Sequence, residues 1–434
     1  MAGFEVTITI RGGQAREENY MNKKGLMTTL KAISMALALS SGMVSMASNS
    51  VHAQSIKYAN QDHGLKYNLI DTWSVEKLNK ILNEDFPAFS GLDVKYTQAQ
   101  NAVRLYRVDF DSVVPEQGNR PIRTSGLVAV PDVAGVKLPL ISYQHGTVYG
   151  KEEVPSIPDH SPETQLMIAQ FAAQGYIVIG ADYFGMGETQ EPESYMVKGS
   201  HQQATADMLL AAQKVIKELG FEADELFLAG WSQGGFVTTA LLEKLEEIGV
   251  RVKAAATASA PIDLAAAISG MLYFPREIDA PWIGTTFILS SFAFENYYNV
   301  PGLAASIIKP EHYDLARAAY LREPFNVADV PLSLKDLVRP EYFEPNYLQA
   351  SAFGRLLAET QAYRRVITVP MRNYYGEADE ATPVGLGRLA MTYQQSLGNG
   401  NDKVEAISTG ATDHRGTYAA AVPEWKIWFD ELKQ

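Results

Sequence analysis

Residues 226–229 (Leu-Phe-Leu-Ala) form an apolar run that passes directly through Gly230-Trp231-Ser232-Gln233-Gly234 into Phe236-Val237-Thr238-Thr239-Ala240-Leu241-Leu242, which reads as a helix. A buried strand that turns at once into a helix leaves no room for side chains two residues before and two after the turn, because they would collide with the neighbouring strand and helix. Glycines at 230 and 234 meet that demand. The serine between them is held in a strained position above the sheet edge, its hydroxyl exposed and a helix N-terminus behind it. A Gly-X-Ser-X-Gly string alone is a common loop sequence. The flanking strand and helix make Ser232 a candidate nucleophile.

Such a serine needs a base and an acid, which on this kind of elbow follow it in the order Ser, Asp or Glu, His. The histidines are His52, His63, His145, His160, His201, His312 and His414, and only the last two follow Ser232. His312 lies in a long segment without sheet patterning. His414 follows a strand-like Val404-Glu405-Ala406-Ile407-Ser408 and a short loop, just before a terminal helix, where a base belongs. The acid is expected after a penultimate strand over residues 366–375, in Gly376-Glu377-Ala378-Asp379-Glu380-Ala381-Thr382-Pro383. Asp379 is favoured because it lies a short turn after Gly376 and just before a helix start, with Glu377 and Glu380 behind it. Asp413 is adjacent to His414, and consecutive residues rarely face each other.

Acyl transfer also creates an oxyanion that needs preorganised donors. The backbone N–H of Gln233 supplies one. The other is expected from Thr147, after the strand Leu138-Pro139-Leu140-Ile141-Ser142-Tyr143-Gln144, where Gly146 lets the backbone approach a substrate closely. His145 precedes the nucleophile and reads as a brace for this loop.

Taken together, His145-Gly146-Thr147, Asp182-Tyr183-Phe184-Gly185-Met186-Gly187, the elbow, residues 376–379 and His414 resemble the α/β-hydrolase superfamily, and within it secreted bacterial carboxylesterases and lipases of the secretory-lipase type. The resemblance implies an α/β fold with a mostly parallel sheet flanked by helices. It also implies a serine carboxylic-ester hydrolase acting through an acyl-enzyme on hydrophobic esters, from small molecules and lipids to polyesters. A peptidase or amidase of the same fold is the alternative, with Lys151-Glu152-Glu153 the nearest charged cluster for a peptide terminus. A non-catalytic binding protein is the third reading, and the intact Ser, Asp, His order speaks against it.

Residues 1–53 read as an address. Lys23 and Lys24 precede an apolar, small-residue stretch over 32–46 and Val51-His52-Ala53, the pattern of a secretory signal peptide cut after Ala53, which predicts a periplasmic or secreted protein. Residues before Met21 fit no such pattern, so the start is Met1 or Met21. The apolar part is too short for stable membrane insertion. The chain contains no cysteine, which excludes a disulfide, a thiol nucleophile and a zinc–thiolate site. Its formal charge is −13; the leader holds five basic and three acidic residues, leaving −15, which argues against nucleic acid and anionic membranes as partners.

Beyond the leader, strands and helices alternate. An antiparallel pair is expected over 102–110 and 123–131, while residues 54–94 read as polar and partly helical. The core is expected over 54–262 and 366–434, interrupted by a helical cap over 263–365 that is rich in aromatic residues and broken by prolines. Substrate contacts are expected from Gly146, Tyr149, Tyr183, Trp231, Tyr273, Phe274, Trp282 and Phe287. Gly385-Leu386-Gly387-Arg388-Leu389-Ala390 matches a dinucleotide fingerprint, but no strand ends at its first glycine. No zinc, calcium or phosphate motif is present, so neither a metal nor a cofactor is expected.

Overall fold

A computed structural model describes residues 64–134, 137–326, 329–398 and 402–433. The expected leader, with its cut after Ala53, lies outside them. A nine-stranded sheet forms the centre: β1 (Lys66–Trp73), β2 (Val103–Val114), β3 (Arg120–Pro131), β4 (Lys137–Gln144), β5 (Ile177–Ala181), β6 (Glu222–Trp231), β7 (Ala254–Ala258), β8 (Met371–Tyr375) and β9 (Val404–Ser408). Their order across the sheet is β1-β2-β3-β5-β4-β6-β7-β8-β9. β1, β2 and β3 run antiparallel to their neighbours, and β5, β4, β6, β7, β8 and β9 are mutually parallel.

The parallel strands are apolar on both faces because both are covered. In β6, Leu226 and Leu228 join one apolar layer, and Phe227 and Ala229 join the other. Helices α1 (Pro162–Gln170) and α9 (His414–Leu432) pack into the second layer. The first layer takes α2 (Lys198–Glu218), α3 (Gln233–Glu247) and α8 (Val384–Ser396). Between β7 and β8 the chain departs through α4 (Leu264–Tyr273), α5 (Gly284–Tyr297), α6 (Tyr313–Leu321), α7 (Ala352–Glu359) and shorter turns.

Two sequence expectations need correction, and the rejection of the dinucleotide fingerprint agrees with the structure. Residues 66–73, read as having no strand, form the edge strand β1; only Trp73 of its eight residues is buried, so no apolar alternation marked it. The strand expected over 366–375 begins only at Met371. Pro370 has no N–H for a ladder, and the Ile367 N–H goes instead to the Gln394 side chain at 3.1 Å. The fingerprint glycines 385 and 387 lie inside α8, where they cannot wrap a phosphate.

Close backbone approaches fix the elbow. A Cβ on Gly234 would lie 1.9 Å from the Gln144 carbonyl oxygen, and one on Gly230 would lie 2.2 Å from the Gly234 oxygen. The end of β4 is thus pressed against the start of α3, which carries the loop after Gln144 to the serine. Gly234→Ala is expected to lower the melting temperature strongly, by at least the ~1–3 kcal/mol of an overpacked site. Gly385→Ala, a helical position with nothing within 4 Å, is expected to leave stability unchanged or raise it. Equal melting temperatures for the two variants would contradict this account of the elbow.

Candidate active site

Ser232 occupies the turn between β6 and α3 at φ 56°, ψ −122°, a conformation that side-chain-bearing residues rarely adopt. Its N–H donates to the Ala258 carbonyl of β7 at 2.9 Å, so the strain is held by the sheet itself. His414 is the first residue of α9, and its Nε2 lies 2.9 Å from Ser232 Oγ. Its Nδ1 faces Asp379, 3.0 Å from Oδ1 and 3.2 Å from Oδ2. The carboxylate fixes the tautomer: Nδ1–H donates to Asp379, leaving Nε2 to accept from the serine hydroxyl.

The other carboxylates of this region have separate tasks. Glu380 Oε2 accepts the main-chain N–H of His414 at 2.9 Å, Glu377 accepts from the Ser408 hydroxyl at 2.8 Å, and Asp413 caps α9 by accepting from Gly416 N at 2.7 Å. Asp379 is buried and also accepts from the N–H groups of Ala381 and Thr382 at 2.9 and 2.7 Å. Burial alone would raise its pKa, but the charge and hydrogen bond of His414, with these donors, hold it below the ordinary value. Burial alone would lower the pKa of His414. The Asp379 charge and hydrogen bond, aided by Glu380 and Asp413, raise it above 6.5.

Beside the serine, Thr147 lines the same cavity. Gln233 is the first residue of α3, so its N–H has no acceptor within the helix. His145 braces the loop, as its position in the chain suggests. Its Nδ1–H donates to the Gly146 carbonyl at 2.8 Å, and its ring stacks on Tyr183 with centroids 4.0 Å apart. Burial lowers its pKa to about 4, so it is neutral. Because a peptide unit is planar and trans, holding the Gly146 carbonyl also sets the direction of the Thr147 N–H.

The cavity opens to solvent and encloses about 550 Å³ of empty space, open solvent included. Leu264, Ala267, Ile268 and Met271 of α4 form one wall, spaced as one helix face. Ile283, Thr286 and Ser290 form another, and Leu357 of α7 adds to it. No charged side chain lines it among the described residues. Likewise, among the described residues there is no group of three acidic or histidine side chains able to hold a metal ion.

Of the aromatic contacts expected from sequence, Trp282 lines the cavity, its ring 6.0 Å from that of His414. The others do not. Phe287 is fully buried in the helical core, Tyr273 donates its hydroxyl to the Tyr342 carbonyl, and Phe274 is 77% exposed. Trp231 stacks on Tyr418 and Tyr183 donates to the His145 carbonyl, both behind the site. Tyr149 reaches Thr285 Oγ1 at 2.8 Å, and Gly146 serves as backbone support. Apart from Trp282, and Tyr195, which the sequence reading did not single out, the large rings serve in packing, and the lining falls mostly to aliphatic residues. The i, i+3, i+4, i+7 spacing of Leu264 to Met271 was the signal that would have found them.

The charge arrangement sets a pH dependence. The imidazole must be neutral to accept a proton, so the acid limb of kcat/KM for any reaction begun by Ser232 is expected to have its midpoint above 6.5. In Asp379→Asn the raising partner is gone while burial remains, so the midpoint should fall below that value and turnover should drop by about 10⁴-fold. A limb that does not move on this substitution would remove Asp379 from the role.

Comparison with known proteins places this frame. The family described as serine aminopeptidase, S33, matches residues 155–289. No curated protein sequence matches the chain. Among solved structures, a Legionella pneumophila protein assigned to the hydrolases superposes with a TM-score of 0.72 at 21% identity, covering 85% of this chain and 98% of its own. The rice cell wall degrading esterase LipA from Xanthomonas oryzae gives 0.69 at 18% identity, covering 84% and 94%. Candida antarctica lipase A gives 0.56 at 14%, covering 80% and 77%. The strand order, the strained serine between β6 and α3, and these superpositions together identify the fold of this chain as the α/β-hydrolase fold.

Proposed function

We propose that the protein is a serine carboxylic-ester hydrolase. The observation that carries the reading is the hydrogen-bonded series Asp379–His414–Ser232 at one end of an uncharged, mostly aliphatic cavity. His414 Nε2 takes the proton as Ser232 Oγ attacks the ester carbonyl, and the N–H groups of Gln233 and Thr147 receive the developing negative charge. The proton then passes to the leaving alcohol. Water attacks the acyl-enzyme by the same route, with His414 again as base.

The helical segment after β7 acts in this reading as a cap that shapes the acyl site. Its attachment to the core supports this: Tyr297 donates to the Pro192 carbonyl at 2.8 Å, Tyr320 to that of Glu193 at 2.7 Å, and Arg322 to that of Val148 at 3.0 Å. A second reading, aminopeptidase-like, is favoured by the family match over residues 155–289. Recognition of a peptide terminus requires a charged partner, and Lys151, Glu152 and Glu153 stand outside the cavity lining. The leader pattern supports export. No helix among the described residues is long and apolar enough to cross a membrane.

The test is a ladder of p-nitrophenyl acyl esters assayed beside an aminoacyl p-nitroanilide. Specificity kcat/KM is expected to rise with acyl length by at most about fourfold per methylene until the cavity is filled, with the anilide turned over poorly. Met271→Ala and Ile268→Ala should raise the ratio of long to short ester. Phe287→Ala should cost ~3–5 kcal/mol of stability and leave that ratio flat. Preference for the anilide would transfer the assignment to the peptidase reading.

A further inference from the structure

Glu163 is a buried carboxylate with no part in the acid, base or nucleophile assignments. It stands in the first turn of α1, and its side chain turns inward. One oxygen, Oε2, receives two hydrogen bonds, from the Tyr143 hydroxyl at 2.5 Å and from the Gly146 N–H at 2.8 Å. Its main-chain oxygen accepts the Tyr418 hydroxyl at 3.0 Å. Tyr418 lies one helical turn after His414 and stacks on Trp231, whose Nε1 donates to the His414 carbonyl at 3.2 Å. Trp231 in turn is the residue before Ser232, and a Cβ on Gly146 would touch its ring at 3.3 Å.

Gly146 is therefore clamped on both sides. Glu163 holds its N–H, and His145 holds its carbonyl. With both flanking peptide planes fixed, the direction of the Thr147 N–H is fixed as well. Burying a carboxylate is costly, and a neutral acceptor would satisfy a single N–H at less cost. A charged acceptor gives the stronger bond, and hence the stiffer loop.

We propose that Glu163 is a positioning residue for the oxyanion donors: its carboxylate holds the Gly146–Thr147 backbone in the geometry that stabilises the transition state of the reaction at Ser232. This rests on the ester-hydrolase reading above. The groups facing Glu163 are Tyr143 from β4, Tyr183 from the loop after β5, His414 and Tyr418 from α9, and Glu153. Burial raises its pKa to about 7, with the Tyr143 and Gly146 hydrogen bonds and His414 pulling the other way. The holding form is thus the one present above neutrality and lost as pH falls through 7.

In the full-length protein, three quantities are measured for wild type, Glu163→Gln and Glu163→Ala: kcat and KM for p-nitrophenyl butyrate across pH, melting temperature, and amide hydrogen exchange over residues 144–150. The alanine variant should lose about tenfold or more in kcat with KM within about twofold, and exchange faster over 144–150. The glutamine variant keeps an acceptor oxygen of the same reach. It should recover much of kcat and the slow exchange, while the acid limb, steep in wild type because Glu163 and His414 both titrate there, becomes shallower and keeps only the His414 ionisation. The proposal is overturned by unchanged exchange in the alanine variant, by an alanine-variant kcat within twofold of wild type, or by an acid limb as steep in the glutamine variant as in wild type. If the alanine variant does not fold, the glutamine pH profile decides. A wild type that hydrolyses no ester refutes the functional reading alone, and exchange over 144–150 still decides whether Glu163 holds the loop.

Discussion

Backbone crowding at the elbow governs the rest of the molecule. Ser232 sits at positive φ, which costs of order 1–3 kcal/mol for a residue with a side chain, and the surrounding sheet must over-determine that position. Its N–H is bound to β7, Gly230 and Gly234 let β6 and α3 meet, and Gly234 touches the end of β4. The same contacts that hold the strain deliver the other components. The end of β4 continues into His145, Gly146 and Thr147, and the C-terminal end of β8 leads to the loop carrying Asp379. A side chain at Gly234 would therefore disturb fold and chemistry together.

Electrostatics around the site is a contest between burial and pairing, with different winners at different residues. At His414 and Asp379 pairing wins over burial, which alone would favour the neutral histidine and the protonated acid. At His145 burial wins, and the ring stays neutral as a single-proton donor to Gly146. Glu163 lies between, paired only to neutral donors, and ionises near neutrality. These four groups give the site its polarity, while the cavity beside Ser232 is lined mostly by aliphatic residues. Such a division suits an uncharged substrate whose carbonyl, and nothing else, acquires charge during reaction.

The fold and the candidate site were legible in the sequence to different depths. The elbow was readable because its requirement is steric and local: two glycines, a serine, a strand and a helix. The pairing of His414 was readable by elimination and that of Asp379 by its turn, although only the fold reveals that Glu380 binds the His414 backbone and Asp413 caps a helix. The parallel sheet was readable from apolar runs. Strand β1 was not, because an edge strand with one buried residue leaves no pattern. Pocket residues were the least readable. Which face of α4 meets the cavity depends on how that helix packs, and choosing by ring size selected packing residues such as Phe287 over Leu264, Ala267 and Met271. The role of Glu163 has no sequence signal, since it is made by a contact between α1 and the loop after β4.

The central claim is that the strained Ser232, paired to His414, is the nucleophile. Its most direct test is treatment of the full-length protein with an alkyl fluorophosphonate, followed by peptide mass analysis. The account predicts one adduct per chain, located on Ser232, absent in Ser232→Ala and formed at least about 10³-fold more slowly in His414→Ala. No adduct, an adduct on another serine, or labelling of Ser232 that is indifferent to loss of His414 would contradict it.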